Sequence, residues 1–217
     1  MAATAPVRRK TSSGTRDWWL RVFLLFQHPR AVFAALRDDS NEAAGDRAEP
    51  VLAIVLLAGI ALVLSTGAAG QLMDNQEYDG LLVAVWAFIA GGMYAVFGYF
   101  AFGALLHGVL KAFRSQGSYR RTRHLVAFAA APIALSLVLW PFRLALYGND
   151  VFRTGGSDAG TGSMVFELLE LVFVAWTVVL LVIGIRAVHG WTWLRAGAAV
   201  AVALGVPVLI GLAVGVT

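Results

Sequence analysis

Between Leu81 and His107 the chain carries no Asp, Glu, Lys or Arg. A run that apolar and that long suits a bilayer better than a soluble core. The hydrocarbon layer is about 30 Å thick, and a helix needs about 20 apolar residues to cross it. Four further blocks of the same kind follow or precede it. The sequence therefore predicts an all-α, polytopic membrane protein, a five-transmembrane-helix bundle. The expected spans cover residues 50–70, 81–107, 124–147, 165–188 and 193–216. Only 14% of the 217 residues are charged and 59% are hydrophobic, against about 25% charged in a soluble domain. Pro50 suits the first turn of the first span. Pro132 and Pro141 fall inside the third, where Ser136 is placed to satisfy a freed backbone group.

The part before the spans divides in two. Residues 1–15 read as a disordered basic tail, and residues 16–49 as a cytoplasmic, interfacial segment ahead of the membrane domain 50–217. Residues 16–27 predict an amphipathic helix, with Trp18, Trp19 and a Phe/Leu face beside Arg16 and Arg21, a composition that fits the headgroup boundary. Pro29 opens a second short helix, with Ala31, Val32, Ala35 and Leu36 on one face and Phe33 alongside. The stretch Trp18–Phe26 is too short to span. It is interrupted by Arg21 and lacks a small-residue cleavage site, which argues against a secretory signal.

Basic residues give the bundle a direction. Eight precede the first span, and Lys111, Arg114, Arg120, Arg121 and Arg123 fill the second loop. Arg186 and Arg195 flank the last turn, whereas the two opposite loops hold only Arg153. Because cytoplasmic loops carry the Lys/Arg excess, the N-terminus is expected in the cytoplasm and the C-terminus outside an inner (plasma) membrane.

Few residues invite chemistry. There is no cysteine, which excludes thiolate ligands and Cys nucleophiles. The chain has no phosphate-loop, zinc-helix or nucleophile-elbow pattern. Its histidines lack His, Cys, Asp or Glu partners at helical spacing, so no catalytic, cofactor or metal site is expected. Arg143 near the outer end of the third span could pair with Glu167 or Glu170 of the fourth as an intramembrane polar contact. The reading favoured by how shallow these positions are is that Arg143 reaches outward to the interface while the glutamates favour a helix N-terminus.

Contacts to anionic lipid headgroups or a partner are expected from Trp18, Trp19, Arg21, Lys111, Arg114, Arg120, Arg121 and Arg123, at about 1 kcal/mol per basic residue near the membrane. Small residues repeat every fourth position: Ala87, Gly91 and Ala95; Gly197, Ala201 and Gly205; Gly211 and Gly215. Such stripes pack helices within a chain or between copies. The basic residues are tied to the membrane face, so nucleic acid is not an expected partner.

Three passages carry a family resemblance: Gln27-His28-Pro29-Arg30-Ala31-Val32-Phe33, the loop-to-span passage from Tyr119 to Pro132, and the exit of the fourth span from Trp176 to Gly190 with Arg195-Ala196. The chain resembles the bacterial branch of the Yip1 family. The resemblance implies five helices with a cytoplasmic N-terminus. Eukaryotic members act in vesicle traffic with small GTPases. For a bacterial member it implies an assembly partner or transport accessory, with no catalytic residues to carry over. The sequence thus predicts a non-enzymatic scaffold, assembly or accessory factor binding lipids or other membrane proteins. The alternative is a small transporter, channel or lipid-moving protein with a polar site near the outer leaflet.

Overall fold

Apolar side chains without backbone partners in lipid force every N–H and C=O to be satisfied inside its own helix, and the computed structural model of the chain is helical throughout. It describes residues 12–214, with side chains from 14 to 209, and among these there is no strand. The first eleven residues of the expected tail and the last of the fifth expected span lie outside the described residues.

The helices run α1 (Ser12–Leu24), α2 (Pro29–Ala35), α3 (Asn41–Asp46), α4 (Ala48–Leu64), α5 (Gly80–Phe97), α6 (Gly103–Ala112), α7 (Tyr119–Ala129), α8 (Ala131–Ser136), α9 (Leu139–Tyr147), α10 (Thr161–His189) and α11 (Trp193–Val214). A π-turn, Gly98–Phe102, joins α5 to α6 without a break. Three stretches are long and apolar enough to cross a membrane: Gly80–Ala112, Tyr119–Phe152 and Thr161–His189. Ala48–Leu64 and the Trp193–Leu209 part of α11 are shorter apolar stretches.

The helix ends follow local chemistry. Ser40, Asp79 and Ser118 cap α3, α5 and α7 by accepting from the N–H of Ala43, Leu82 and Arg121. Gly190 closes α10 in the left-handed region, φ +67°. At the end of α6 that position falls to Arg114, φ +61°. There the Ser115 N–H bonds the Leu110 carbonyl at 2.9 Å, so a long side chain occupies the place glycine usually takes.

The third expected span is broken twice, at its prolines. Pro141 lacks the N–H that would bond the Leu137 carbonyl, and Trp140 N–H takes that oxygen instead at 3.1 Å. One turn earlier, Ser136 Oγ donates to the Ile133 carbonyl at 2.7 Å. The bends leave α7, α8 and α9 as three segments of one membrane-length stretch.

α4 and α5 make the closest helix crossing. Gly91 is packed so tightly that a Cβ there would lie 2.7 Å from Cα of Ile60. Ala87 and Ala95 are buried on the same stripe, so this small-residue run packs within the chain. The stripe on α11 is different: a Cβ on Gly197 or Gly205 would meet nothing within 4 Å. Gly211 and Gly215 lie outside the described side chains.

The main core sits toward the end that carries the N-terminal helices. Leu25, Phe33 and Leu36 are fully buried with Leu106, Leu125, Phe128 and Ile185. Gly184 lets α10 approach the Phe33 ring. Trp18 requires a correction: expected at the headgroups, it is only 5% exposed and packs 5.3 Å from the Phe128 ring. The reason is helical spacing. Trp18, Val22 and Leu25 form one apolar stripe and dock inward, while Trp19, Leu20 and Phe23 form a second that stays exposed. Around the middle of the bundle, large apolar side chains face outward. Phe88, Ile89, Met93 and Phe97 on α5 and Leu168, Leu171 and Val172 on α10 are all exposed, Phe97 at 75%.

Candidate functional site

Arginines crowd one end of the bundle, and what each one touches separates structural cations from available ones. Arg47 precedes α4 and is wholly buried. Its Nη1 donates to the Asp38 carbonyl at 2.8 Å, and its Nη2 lies 3.5 Å from Asp39 Oδ1. Its Nε donates to Nδ1 of His124 at 2.7 Å. A guanidinium only donates, so Nδ1 is the acceptor and the ring proton sits on Nε2. Burial pushes the Arg47 pKa below its ordinary value, against the pull of Asp39, and the group stays charged.

Asp39 gathers this network. It accepts from Ser118 Oγ, and from Arg120 Nε at 3.1 Å. Burial alone would raise its pKa. The Ser118 and Arg120 hydrogen bonds and the charges of Arg120 and Arg121 outweigh burial and hold it below the usual carboxylate range. Arg120 also bonds Asn41 Oδ1 at 2.7 Å. Its donors therefore face the linker between α2 and α3. Arg121 ties the same linker through the Arg37 carbonyl at 2.8 Å. These contacts clamp residues 37–47 to the start of α7.

Arg123 is placed otherwise. Its guanidinium carbon lies 5.0, 4.7 and 4.7 Å from the ring centroids of Tyr99, Phe100 and Tyr119, a cation–π cage. The π-turn presents two of those rings, and Gly103 gives the Arg123 stem room. Nε of Arg123 is buried without a hydrogen-bond partner. Lys111 and Arg114 are exposed. Trp19 is exposed on the second apolar stripe of α1, and Arg21 stacks on Trp18 at 4.6 Å.

At the opposite end, Arg143 meets a residue the sequence did not single out. Its Nε and Nη2 reach Oδ2 of Asp158 at 2.9 and 2.5 Å, with side chains only 13% and 7% exposed. The hydrogen bonds of Arg143 go to Asp158 rather than to Glu167 or Glu170, while its charge still acts on Glu170. The physical reason is reach: the 148–160 loop folds back over the end of α9 and brings a carboxylate onto the guanidinium. Ser65 of the α4 C-cap lies beside Glu170. Asp74 accepts from the Thr154 N–H and hydroxyl at 2.9 and 2.6 Å, and Trp140 stacks on Phe152 at 5.7 Å, which fastens this end.

Between the ends lies an apolar cavity of about 320 Å³, bounded by α4, α5, the π-turn, α7, α8 and α10, with Gly59, Tyr99, Ile133 and Thr177 in its wall. Among the described residues no group of His, Asp or Glu is arranged to hold a metal ion.

The family model of the Yip1 domain matches residues 23–215. The chain belongs to the Yip1 domain family. Comparison with curated proteins and with solved structures finds no match. The membership and the apolar helices together make the chain an integral membrane protein of the Yip1 type. The matched region begins at the last residues of α1 and takes in α2, α3 and the Asp39–Arg47–His124 clamp.

Proposed function

We propose that this Yip1-domain protein is a non-enzymatic scaffold, assembly or accessory factor of a bacterial inner membrane, binding anionic lipids or other membrane proteins through its basic end. The observation that carries the reading is the division of its surface. An apolar belt on α5 and α10 faces outward, and guanidinium groups such as Arg123 crowd one end without a carboxylate partner among the described residues. Five crossings fit this reading. The 17 residues of α4 rise about 26 Å, and the 22 of α11 about 33 Å, close to the hydrocarbon thickness. The basic end then lies in the cytoplasm and the C-terminus outside. The open Gly197–Ala201–Gly205 stripe suits contact with a second membrane helix.

Gentle-detergent purification of the tagged chain from its own membrane tests the role. A membrane protein that co-purifies in fixed stoichiometry supports it; a chain that always emerges alone refutes it. A C-terminal reporter active only in the cytoplasm should be silent, and an active one would overturn the orientation. The apolar cavity favours a second reading, a lipid-moving or transport protein. Flux of a lipid or solute by the chain alone in liposomes would select it over the scaffold.

A further inference from the structure

The turn between α10 and α11 closes over a hollow of about 340 Å³ whose wall holds three arginines, Arg30 from α2, Arg37 from the linker just after it and Arg186 from α10, beside Gly190 and Trp191. None of the three has an ion pair with a carboxylate among the described residues. The acids next to Arg37 in sequence are engaged elsewhere: Asp39 is held by Arg120 and Ser118, and Asp38 accepts from the Ser40 N–H. Nor does the surrounding charge help, because His189 has Arg37, Arg121 and Arg195 as its charged neighbours.

Three like charges around one hollow repel one another unless an anion joins them. The donors are arranged to receive it. Nε of Arg186 is buried with no partner in the protein. The Arg186 and Arg30 guanidinium carbons lie 4.5 and 5.4 Å from the ring centroid of Trp193, which holds both in place by cation–π contact. One feature opposes an anion, the carbonyl end of α10. Arg37 answers it by donating Nε and Nη2 to the Ala187 carbonyl at 3.0 and 2.5 Å, so that oxygen is covered by a positive charge.

We propose that this hollow is a phosphate-binding site, taking a phosphate mono- or diester on Arg30, Arg37 and Arg186. The planar N–H forks of Arg30 and Arg186 match tetrahedral phosphate oxygens in bidentate fashion, and Arg37, whose Nε and Nη2 are held by the Ala187 carbonyl, adds its charge and its Nη1 donors. The chemistry is shared by a phospholipid headgroup and a soluble phosphate. Trp193 and Leu194, the latter 84% exposed, continue an apolar surface from the rim, as a headgroup site at the membrane boundary requires. This inference does not depend on the scaffold reading: a chain that purifies alone would still bind phosphate here, and a failed site would leave co-purification untouched.

The test uses the full chain in nonionic detergent at fixed ionic strength, with thermal stability and tryptophan fluorescence as readouts. The probes are dioleoylphosphatidylglycerol, dioleoylphosphatidylcholine and inorganic phosphate. Saturable stabilisation by phosphatidylglycerol is expected for wild type and for Arg153→Gln at the far end. Arg186→Gln and Arg30→Gln should weaken it at least about tenfold, the loss of one charged hydrogen-bonding partner. Arg30 is exposed, so its variant keeps the test valid should Arg186→Gln fail to fold. Saturation by inorganic phosphate with the same arginine dependence also supports the site and assigns it to a soluble phosphate. Saturation by none of the probes, or variants that bind like wild type, overturns it.

Discussion

Adjacent glycines on α5 should respond to the same substitution with opposite sign. A Cβ on Gly91 would sit 2.7 Å from both Cα and Cγ1 of Ile60 and 2.9 Å from its nitrogen. Two of those are backbone atoms of α4, so no side-chain rotation relieves them and the helices must part. Overpacking of this kind costs about 1–3 kcal/mol. Replacing a helical glycine with alanine returns up to about 1 kcal/mol. Gly91→Ala should therefore lose roughly 0.5–2 kcal/mol net. At Gly92 a Cβ meets nothing within 4 Å, so Gly92→Ala keeps the propensity gain alone. At about 2–4 °C per kcal/mol for a chain of this size, the two variants should separate by several degrees in detergent-solubilised thermal unfolding, on either side of wild type. A Gly91→Ala protein as stable as Gly92→Ala would refute the α4–α5 crossing.

Further outcomes follow from other contacts. Arg114→Gly should raise stability by about 1 kcal/mol, because glycine carries no Cβ penalty in the left-handed conformation; a lower melting temperature would contradict the cap geometry. Asp158→Asn and Arg143→Leu should each cost about 3–5 kcal/mol by stranding a mostly buried charge. The double variant should cost less than their sum, and additivity would show that the pair is not coupled. Asp39 titrates below its ordinary value of 3.8 in the folded chain. The stability it contributes is thus complete above that value and is lost as pH falls through the lower folded value. Melting curves from pH 5 down to pH 2 should show this acid sensitivity in wild type and less of it in Asp39→Asn.

Much of the architecture was readable because lipid imposes a demand on composition alone. The run from Leu81 to His107 needs no knowledge of neighbours to be called a span, and Pro132 and Pro141 mark where the third stretch bends. What escaped reading depended on choices between equivalent signals. The first helix carries two apolar stripes, and nothing in the order of residues says that Trp18 rather than Trp19 turns toward Phe128. Arg47 looks like any charge that precedes a span. Its burial is decided by His124, which lies 77 residues away. Asp158 sits among Gly and Ser in a loop with no periodicity, so its approach to Arg143 is a tertiary event. The arginines of the α10–α11 hollow come from two stretches far apart in sequence, where each counts only as part of the positive-inside excess.

The π-turn at Gly98–Phe102 acts as a change of phase along a continuous rod. Before it, Ala87, Gly91 and Ala95 of α5 face α4; after it, Leu106, Val109 and Leu110 of α6 are buried in the core with α7 and α11. One residue more or fewer rotates everything beyond by about 100°. A single-residue deletion there would leave a span of nearly the same length and hydropathy, acceptable to the bilayer, yet it would swing Leu106 and Leu110 out of the core and dismantle the Arg123 cage. Length in this span is therefore constrained by its protein neighbours more tightly than by the membrane.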